Sequence, residues 1–182
     1  MTEQYIEDAH RTLSTSFHSE LVPFDALRHA FGLIVANGVI LDEIKKALFY
    51  GRPIKDMEAE AGETDFVRYG KFLSSLHPDR AKAENILHAI IGKMTEVCEL
   101  IDALGGMTDG DETKLDLVNV VEEVGDGFWY DAILLKAIGS DFEQAQRINI
   151  AKLKKRFPDR FTETQALKRD LPAERKTLEG QE

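Results

Sequence analysis

The apolar residues of this chain recur at three- and four-residue intervals, the period of helices with a buried stripe. That pattern predicts helices near 4–19, 24–49, 57–76, 82–104, 115–139, 141–157 and 163–178. The punctuation agrees: Pro23 precedes the second helix, Gly51, Arg52 and Pro53 end it, and Pro78 separates the third from the fourth. Residues 105–114, GGMTDGDETK, read as a loop, with two glycines to stop a helix and polar turn residues behind them. One stretch is ambiguous. LDLVNVV at 115–121 is β-branched enough for a strand, but the apolar pattern runs on to Ile138 and favours helix. The fold class expected is all-α.

A faint repeat is present as well. Gly32, Ala36, Val39 and Asp42 have the spacing of Gly92, Glu96, Glu99 and Asp102. Two amphipathic helices can coincide in this way; if the repeat is real, its first copy is structural, because apolar residues replace the two glutamates.

Composition narrows the function classes. Apolar residues make up 43% of the 182 and charged residues 31%, as in ordinary folded proteins, so bulk disorder is not expected. Acids outnumber bases 33 to 23, a formal charge of −10, which argues against a protein that coats DNA or RNA. A small anionic substrate stays open if a metal or a basic patch neutralises it. The single cysteine, Cys98, excludes an intramolecular disulfide or a Cys-based zinc site and reads as a core residue. No apolar run is read as approaching the ~20 residues of a membrane span, and MTEQYIEDAH does not read as a signal peptide, so a cytoplasmic protein is expected.

The chemistry concentrates in acids. Glu96 and Glu99 lie three apart on one helix, separated by roughly 60° of rotation. After the loop, Glu123 and Asp126 repeat the spacing, with Glu122 beside them. Two helices joined by about ten residues pack antiparallel and can converge these four carboxylates on a small volume. The second helix is apolar almost all round, through Leu117, Val121, Val124, Phe128, Ile133 and Leu135, which predicts burial in the core or against another subunit. Buried unpaired carboxylates are costly, so they take up protons or hold a cation. Clustered carboxylate oxygens without Cys or a His pair suit a hard ion, Mg²⁺ or Mn²⁺. The first helix supports this less, because its apolar arc through Ile90, Met94, Val97, Ile101 and Leu104 leaves Glu99 pointing nearly opposite, as on a solvated face.

Other metal sites fit worse. The sequence DGDET begins like a calcium loop, but Lys114 stands where glycine is needed and Val120 where an acid should close it. A di-iron bundle requires two Glu-x-x-His motifs, and only Glu7 with His10 fits. No Walker loop or dinucleotide fingerprint occurs.

Downstream, Asn149, Lys152 and Arg156 share one helical face, with Lys154, Lys155 and Arg160 adding positive charge. They read either as a phosphate clamp or as basic residues complementing a helix C-terminus. Trp129 and Tyr130, beside the acids, are available to stack on a nucleobase or to pack in a core.

Taken together, LHAIIGKMTEVCELIDAL, NVVEEVGDGFWYDAILL and NIAKLKKRFPDRF resemble the MazG-like all-α nucleoside triphosphate pyrophosphohydrolases, most of all those encoded by bacteriophages. That superfamily's signature is Glu-x-x-Glu followed, after a variable gap, by Glu-x-x-Asp; Glu96, Glu99, Glu123 and Asp126 match it. KKALFYGRP upstream and FTETQALKRDLPAERKTLE downstream also look like phage members. The resemblance implies a helical bundle whose catalytic part spans 81–182, with residues 1–80 as a helical extension packed on it. It further implies hydrolysis of a nucleoside triphosphate, with Mg²⁺ on the four acids, Lys152 and Arg156 on the phosphates, and Asn149 positioning the chain. A homodimer or homotetramer is implied too. The competing expectations are a catalytically silent helical module that oligomerises or binds a partner, and a different metal hydrolase acting on another phosphorylated molecule.

Overall fold

A computed structural model describes residues 3–14, 16–54, 62–104 and 115–180. They form eight α-helices and one 3₁₀ turn: α1 (Glu3–His10), the turn (Ser19–Leu21), α2 (Phe24–Tyr50), α3 (Glu63–Leu76), α4 (Arg80–Ala103), α5 (Leu117–Ala137), α6 (Phe142–Arg156), α7 (Glu163–Leu167) and α8 (Leu171–Leu178). The all-α expectation holds among the described residues, and LDLVNVV is helical from Leu117 onward.

Helix ends follow local chemistry. The Asp79 carboxylate accepts from the Ala81 and Lys82 amides at 3.0 and 3.2 Å, and Asp116 does the same for Val118 and Asn119. These side chains satisfy the orphan donors of the first turns of α4 and α5. Gly51 (φ 68) and Gly139 (φ 75) take the left-handed conformation that closes α2 and α5. Two predicted helices are corrected. The first ends at His10 rather than 19, because the Thr12 hydroxyl bonds the Ala9 carbonyl and Ser14 bonds Ser16, giving the chain an alternative to the helix. The predicted 163–178 helix is broken into α7 and α8, where Asp170 caps a new start and Pro172 occupies its first turn. The start of the predicted 57–76 helix and the 105–114 loop lie outside the described residues.

The chain divides into two compact units, Val22–Gly139 and Met1–Leu21 with Ser140–Glu182. The expected boundary near residue 80 therefore falls inside the first of these, between α3 and α4.

In the unit Val22–Gly139, α4 is central and packs on α2, α3 and most extensively α5. Two glycines permit these approaches. A Cβ on Gly92 would lie 2.0 Å from the Tyr130 ring, and one on Gly38 would lie 2.2 Å from Cys98 Sγ. Around them α4 buries the small side chains of Ala83, Ala89, Thr95 and Ala103 alongside Ile86, Ile91, Cys98 and Ile101. The apolar arc read from the sequence is covered only in part: Ile90, Met94, Val97 and Leu104 stay exposed. Small residues set how closely two helices approach, so Gly92 and Thr95 mark the contact face better than the full arc of large residues does. Gly32, the counterpart of Gly92 in the faint repeat, faces open space, so the two segments are not equivalent. Gly92→Ala is expected to cost about 1–3 kcal/mol through overpacking, and Gly32→Ala to gain about 0.5–1 kcal/mol as a helix-interior glycine replaced. Urea denaturation of both variants checks this; equal effects would contradict the assigned packing.

Helix α5 is covered on one side only. Glu123, Tyr130 and Ala137 are buried, whereas Leu117, Val118 and Val121 are exposed. The expectation of all-round burial is therefore not met within one chain, since α4 supplies the main partner surface. Helix α2 buries only Gly38 and Lys45. Against the sequence reading, its 27 residues are long and apolar enough to cross a membrane by length and composition (mean hydropathy 1.4), because no charged residue interrupts positions 29–41.

In the other unit, α6 packs on α8 and on α1. Glu174, buried on α8, receives the Arg156 guanidinium in a two-point contact, Nε to Oε1 at 2.7 Å and Nη2 to Oε2 at 2.5 Å. Arg169 adds a contact at 2.8 Å. Hydrogen bonds from Arg156 first, then Arg169, hold the Glu174 carboxyl down at about 2. Removing one partner of such a pair strands the others' charge, so Glu174→Ala is expected to cost about 3–5 kcal/mol. Thermal and urea denaturation would reveal it; a loss below about 1 kcal/mol would mean solvent already screens the pair.

Candidate metal centre

Among the described residues, helices α4 and α5 share the most extensive contact, and the acids meet along it. Glu96 and Glu99, one turn apart on α4, and Glu123 on α5 each offer a carboxylate oxygen, all within 4.8 Å of one another. Glu96 and Glu123 are buried, and Glu99 is exposed. Three of the four predicted acids are thus brought together. Asp126, one turn further along α5, is exposed and stands outside the cluster, as does Glu122. Glu99 joins despite its apparently solvated position, because the contact face of α4 differs from its large-residue arc.

The sequence reading missed a contribution from α2. Lys45 is 6% exposed, and its Nζ donates to Thr95 Oγ1 at 2.9 Å. It lies 3.3 Å from Asp42 Oδ1, 3.9 Å from Glu96 Oε1 and 5.6 Å above the Tyr130 ring. Thr95 is 2% exposed; its oxygen is 2.7 Å from the Gly92 carbonyl and 3.0 Å from Glu96 Oε1, and its one proton serves either acceptor. Lys45 thereby ties the inner end of the carboxylate cluster to α2. Its signal lay in KKALFYGRP, a segment noted for resemblance and given no role.

Charge is held there at a cost. Burial first, then hydrogen bonding to and repulsion from Glu96 and Glu99, raise the Glu123 carboxyl to about 8. Burial and the Glu96 charge also raise Glu99. For Lys45, burial opposes the charged form, but Tyr130 and Asp42 outweigh it and the ammonium is favoured. Asp42 feels the same contest: burial raises it, Lys46 and Lys45 lower it, and the net shift is downward. One resident ammonium does not balance three carboxylates, so Glu123 keeps a proton unless a cation replaces it. The donor set is all oxygen, two of the three residues are buried, and no sulfur or imidazole takes part. Such an all-oxygen group could hold a metal ion.

Beside the cluster lies a group of rings. His88 stacks on Phe49 with centroids 4.1 Å apart and meets Tyr50, Trp129 and Tyr130 edge-on at 5.7–6.0 Å. Its Nε2 is buried without a hydrogen-bond partner among the described residues. Burial, and then the Lys45 charge, favour the neutral imidazole. Tyr130 is buried under Lys45, while Trp129 keeps about half of its surface open. Phe49, Tyr50 and His88 escaped the sequence reading because no local spacing links α2 to α4.

Asn149, Lys152 and Arg156 lie on α6, in the other compact unit. Asn149 Oδ1 is 3.5 Å from the Tyr5 hydroxyl, and the Arg156 fork is committed to Glu174. Among the described residues, Lys152 has no ion-pair partner. The calcium-loop reading of DGDET lies outside the described residues. In comparisons with family models, with curated proteins and with solved structures, nothing matches this chain.

Proposed function

We propose that the protein is a divalent-metal-dependent nucleoside triphosphate pyrophosphohydrolase of the MazG-like all-α type, converting a (deoxy)nucleoside triphosphate to monophosphate and pyrophosphate. The observation that carries this reading is the three-carboxylate cluster of Glu96, Glu99 and Glu123, half sealed from water and braced by Lys45. When bound, Mg²⁺ or Mn²⁺ would neutralise part of the triphosphate charge and lower the pKa of a water. Glu96, Glu99 and Glu123 would hold the ion. Asp126 and Glu122, both exposed and outside the cluster, are the acids left to accept the proton that the attacking water sheds. Trp129, half open, offers a face to a nucleobase, whereas Tyr130 serves as the packing partner of Lys45 and Gly92. The phosphate-holding role that the resemblance implies for Asn149, Lys152 and Arg156 falls on residues of the other compact unit, where Arg156 is held by Glu174.

The large apolar residues left exposed on α2 and α5 favour a homodimer or homotetramer, because association would remove them from water. A nucleotide-pool enzyme of this class works in the cytoplasm, the host's if phage-encoded. The same residues support a second reading, a catalytically silent helical module that oligomerises or binds a partner. Incubation with each deoxynucleoside triphosphate and Mg²⁺, followed by product identification, separates the readings. Monophosphate plus pyrophosphate is expected. No turnover would favour the silent module, and stepwise release of orthophosphate would point to a different metal hydrolase.

A further inference from the structure

Charge is unevenly distributed along this acidic chain. Residues 1–139 carry thirteen Lys and Arg against twenty-five Asp and Glu, whereas residues 140–182 carry ten against eight. Within the latter, α6 and α8 border a groove of about 1170 Å³ lined by Arg147, Lys154 and Lys155 from one helix and Lys176 from the other. None of these four cations pairs with a carboxylate among the described residues. One acid, Asp170, lines the groove, and its Oδ1 is occupied by the Ala173 amide at 3.0 Å as the cap of α8.

The face concerned is not the one singled out in the sequence. Arg147, Lys154 and Lys155 follow a spacing of seven and eight residues and share a side of α6. Residues two apart on a helix differ by about 200°, which sets Asn149 and Lys152 roughly opposite Arg147 and Lys154. Lysines in a last helical turn favour the C-terminal dipole, and that accounts for Lys154, Lys155 and Lys176 singly. It does not account for Arg147, in the first half of α6, nor for cations of two helices facing one groove.

We propose that this groove binds a chain of linked phosphate groups, separately from the carboxylate cluster. Like charges gathered without partners repel one another, and an anion with several charges relieves all four at once. The lining contains no aromatic side chain among the described residues, so it would contact phosphates and leave bases unread. Two sources carry such a chain: a single nucleic-acid strand and a free polyphosphate, including the tail of a nucleotide.

The test is fluorescence anisotropy with a labelled oligothymidylate, and competition or calorimetry with inorganic tripolyphosphate, both in EDTA so that the carboxylate cluster holds no metal. If four phosphates are neutralised, log K for the oligonucleotide should fall against log salt with a slope of about −3, at about 0.7 per phosphate. Lys154→Ala/Lys155→Ala should flatten that slope by about 1.4 and weaken binding on the order of tenfold or more, with the circular dichroism unchanged. Lys71→Ala, an exposed charge on α3, controls for net charge and should leave binding unaltered. Binding of the oligonucleotide that weakens in the double variant assigns the groove to a nucleic-acid strand. Binding of tripolyphosphate alone, weakened in the same way, assigns it to a free phosphate chain. If neither ligand binds, or the double variant binds as well as the parent, the proposal is overturned, whatever the outcome of the hydrolysis assay.

Discussion

Glu123→Gln is expected to abolish turnover while making the metal-free fold more stable above neutral pH. Replacing a carboxylate of the proposed cage should reduce activity by more than about a hundredfold, beyond the 10–100-fold typical of outer-shell partners. The stability effect follows from linkage. The Glu123 carboxyl moves from 4.5 to about 8 on folding, so the folded state binds its proton more tightly than the unfolded chain does. Its contribution is complete below about 4.5 and disappears as pH rises through about 8; Glu99, also raised, acts in the same direction. His88 acts oppositely: its folded value is lowered from 6.5, so it withdraws stability as pH falls below that value. The clean window is therefore pH 7 to 8. There the metal-free parent should lose stability, added Mg²⁺ should restore it, and Glu123→Gln, which copies the protonated form, should do neither. Urea denaturation in EDTA and in Mg²⁺ at both pH values measures this. A parent whose metal-free stability is flat or rises over that interval would show that the carboxylates do not crowd one another, and retained turnover would remove Glu123 from the site.

Lys45→Met is the second large effect expected. Methionine keeps the volume and flexibility of the stem but removes the ammonium that faces Asp42, Thr95 and Glu96. Asp42 retains Lys46 as partner, so Glu96 is the carboxylate left uncompensated. Stranding a buried charge in this way costs about 3–5 kcal/mol. Two further measurements separate loss of charge from loss of packing. Mg²⁺ should recover part of the deficit if a cation binds the same carboxylates, and Lys45→Met/Glu96→Gln should be more stable than Lys45→Met alone, a positive coupling between neighbours. A double variant no more stable than the single would mean that Lys45 acts through packing against Tyr130 and not through Glu96.

These expectations divide according to what local sequence carries. Aspartates that the sequence reading did not single out cap α4 and α5 in the structure, whereas the i,i+3 spacing of Glu96 and Glu99 does put both on the side of α4 that meets α5. Asp126 has the same spacing from Glu123 and does not join. Spacing puts two residues on one side of a helix only to within about 60°, and Asp126 falls on the exposed part of that side although the contact with α4 continues past it to Tyr130. The large apolar residues misled for a related reason: Ile90, Met94 and Val97 looked like the core stripe, but Gly92 and Thr95 mark the buried face because they let Tyr130 and Lys45 come close.

By itself the sequence determined that the chain is helical, where most helices start, and that two helices each carry paired acids. Periodicity, capping residues and helix-breaking residues all act within a few positions of one another. Only the tertiary structure decided that Lys45 of α2 enters the acid cluster, that His88 joins a ring of aromatics from α2 and α5, and that Arg156 answers Glu174. Each of those meetings joins residues from different helices, and which face of a helix its neighbours cover is settled by packing between elements, which no local spacing records.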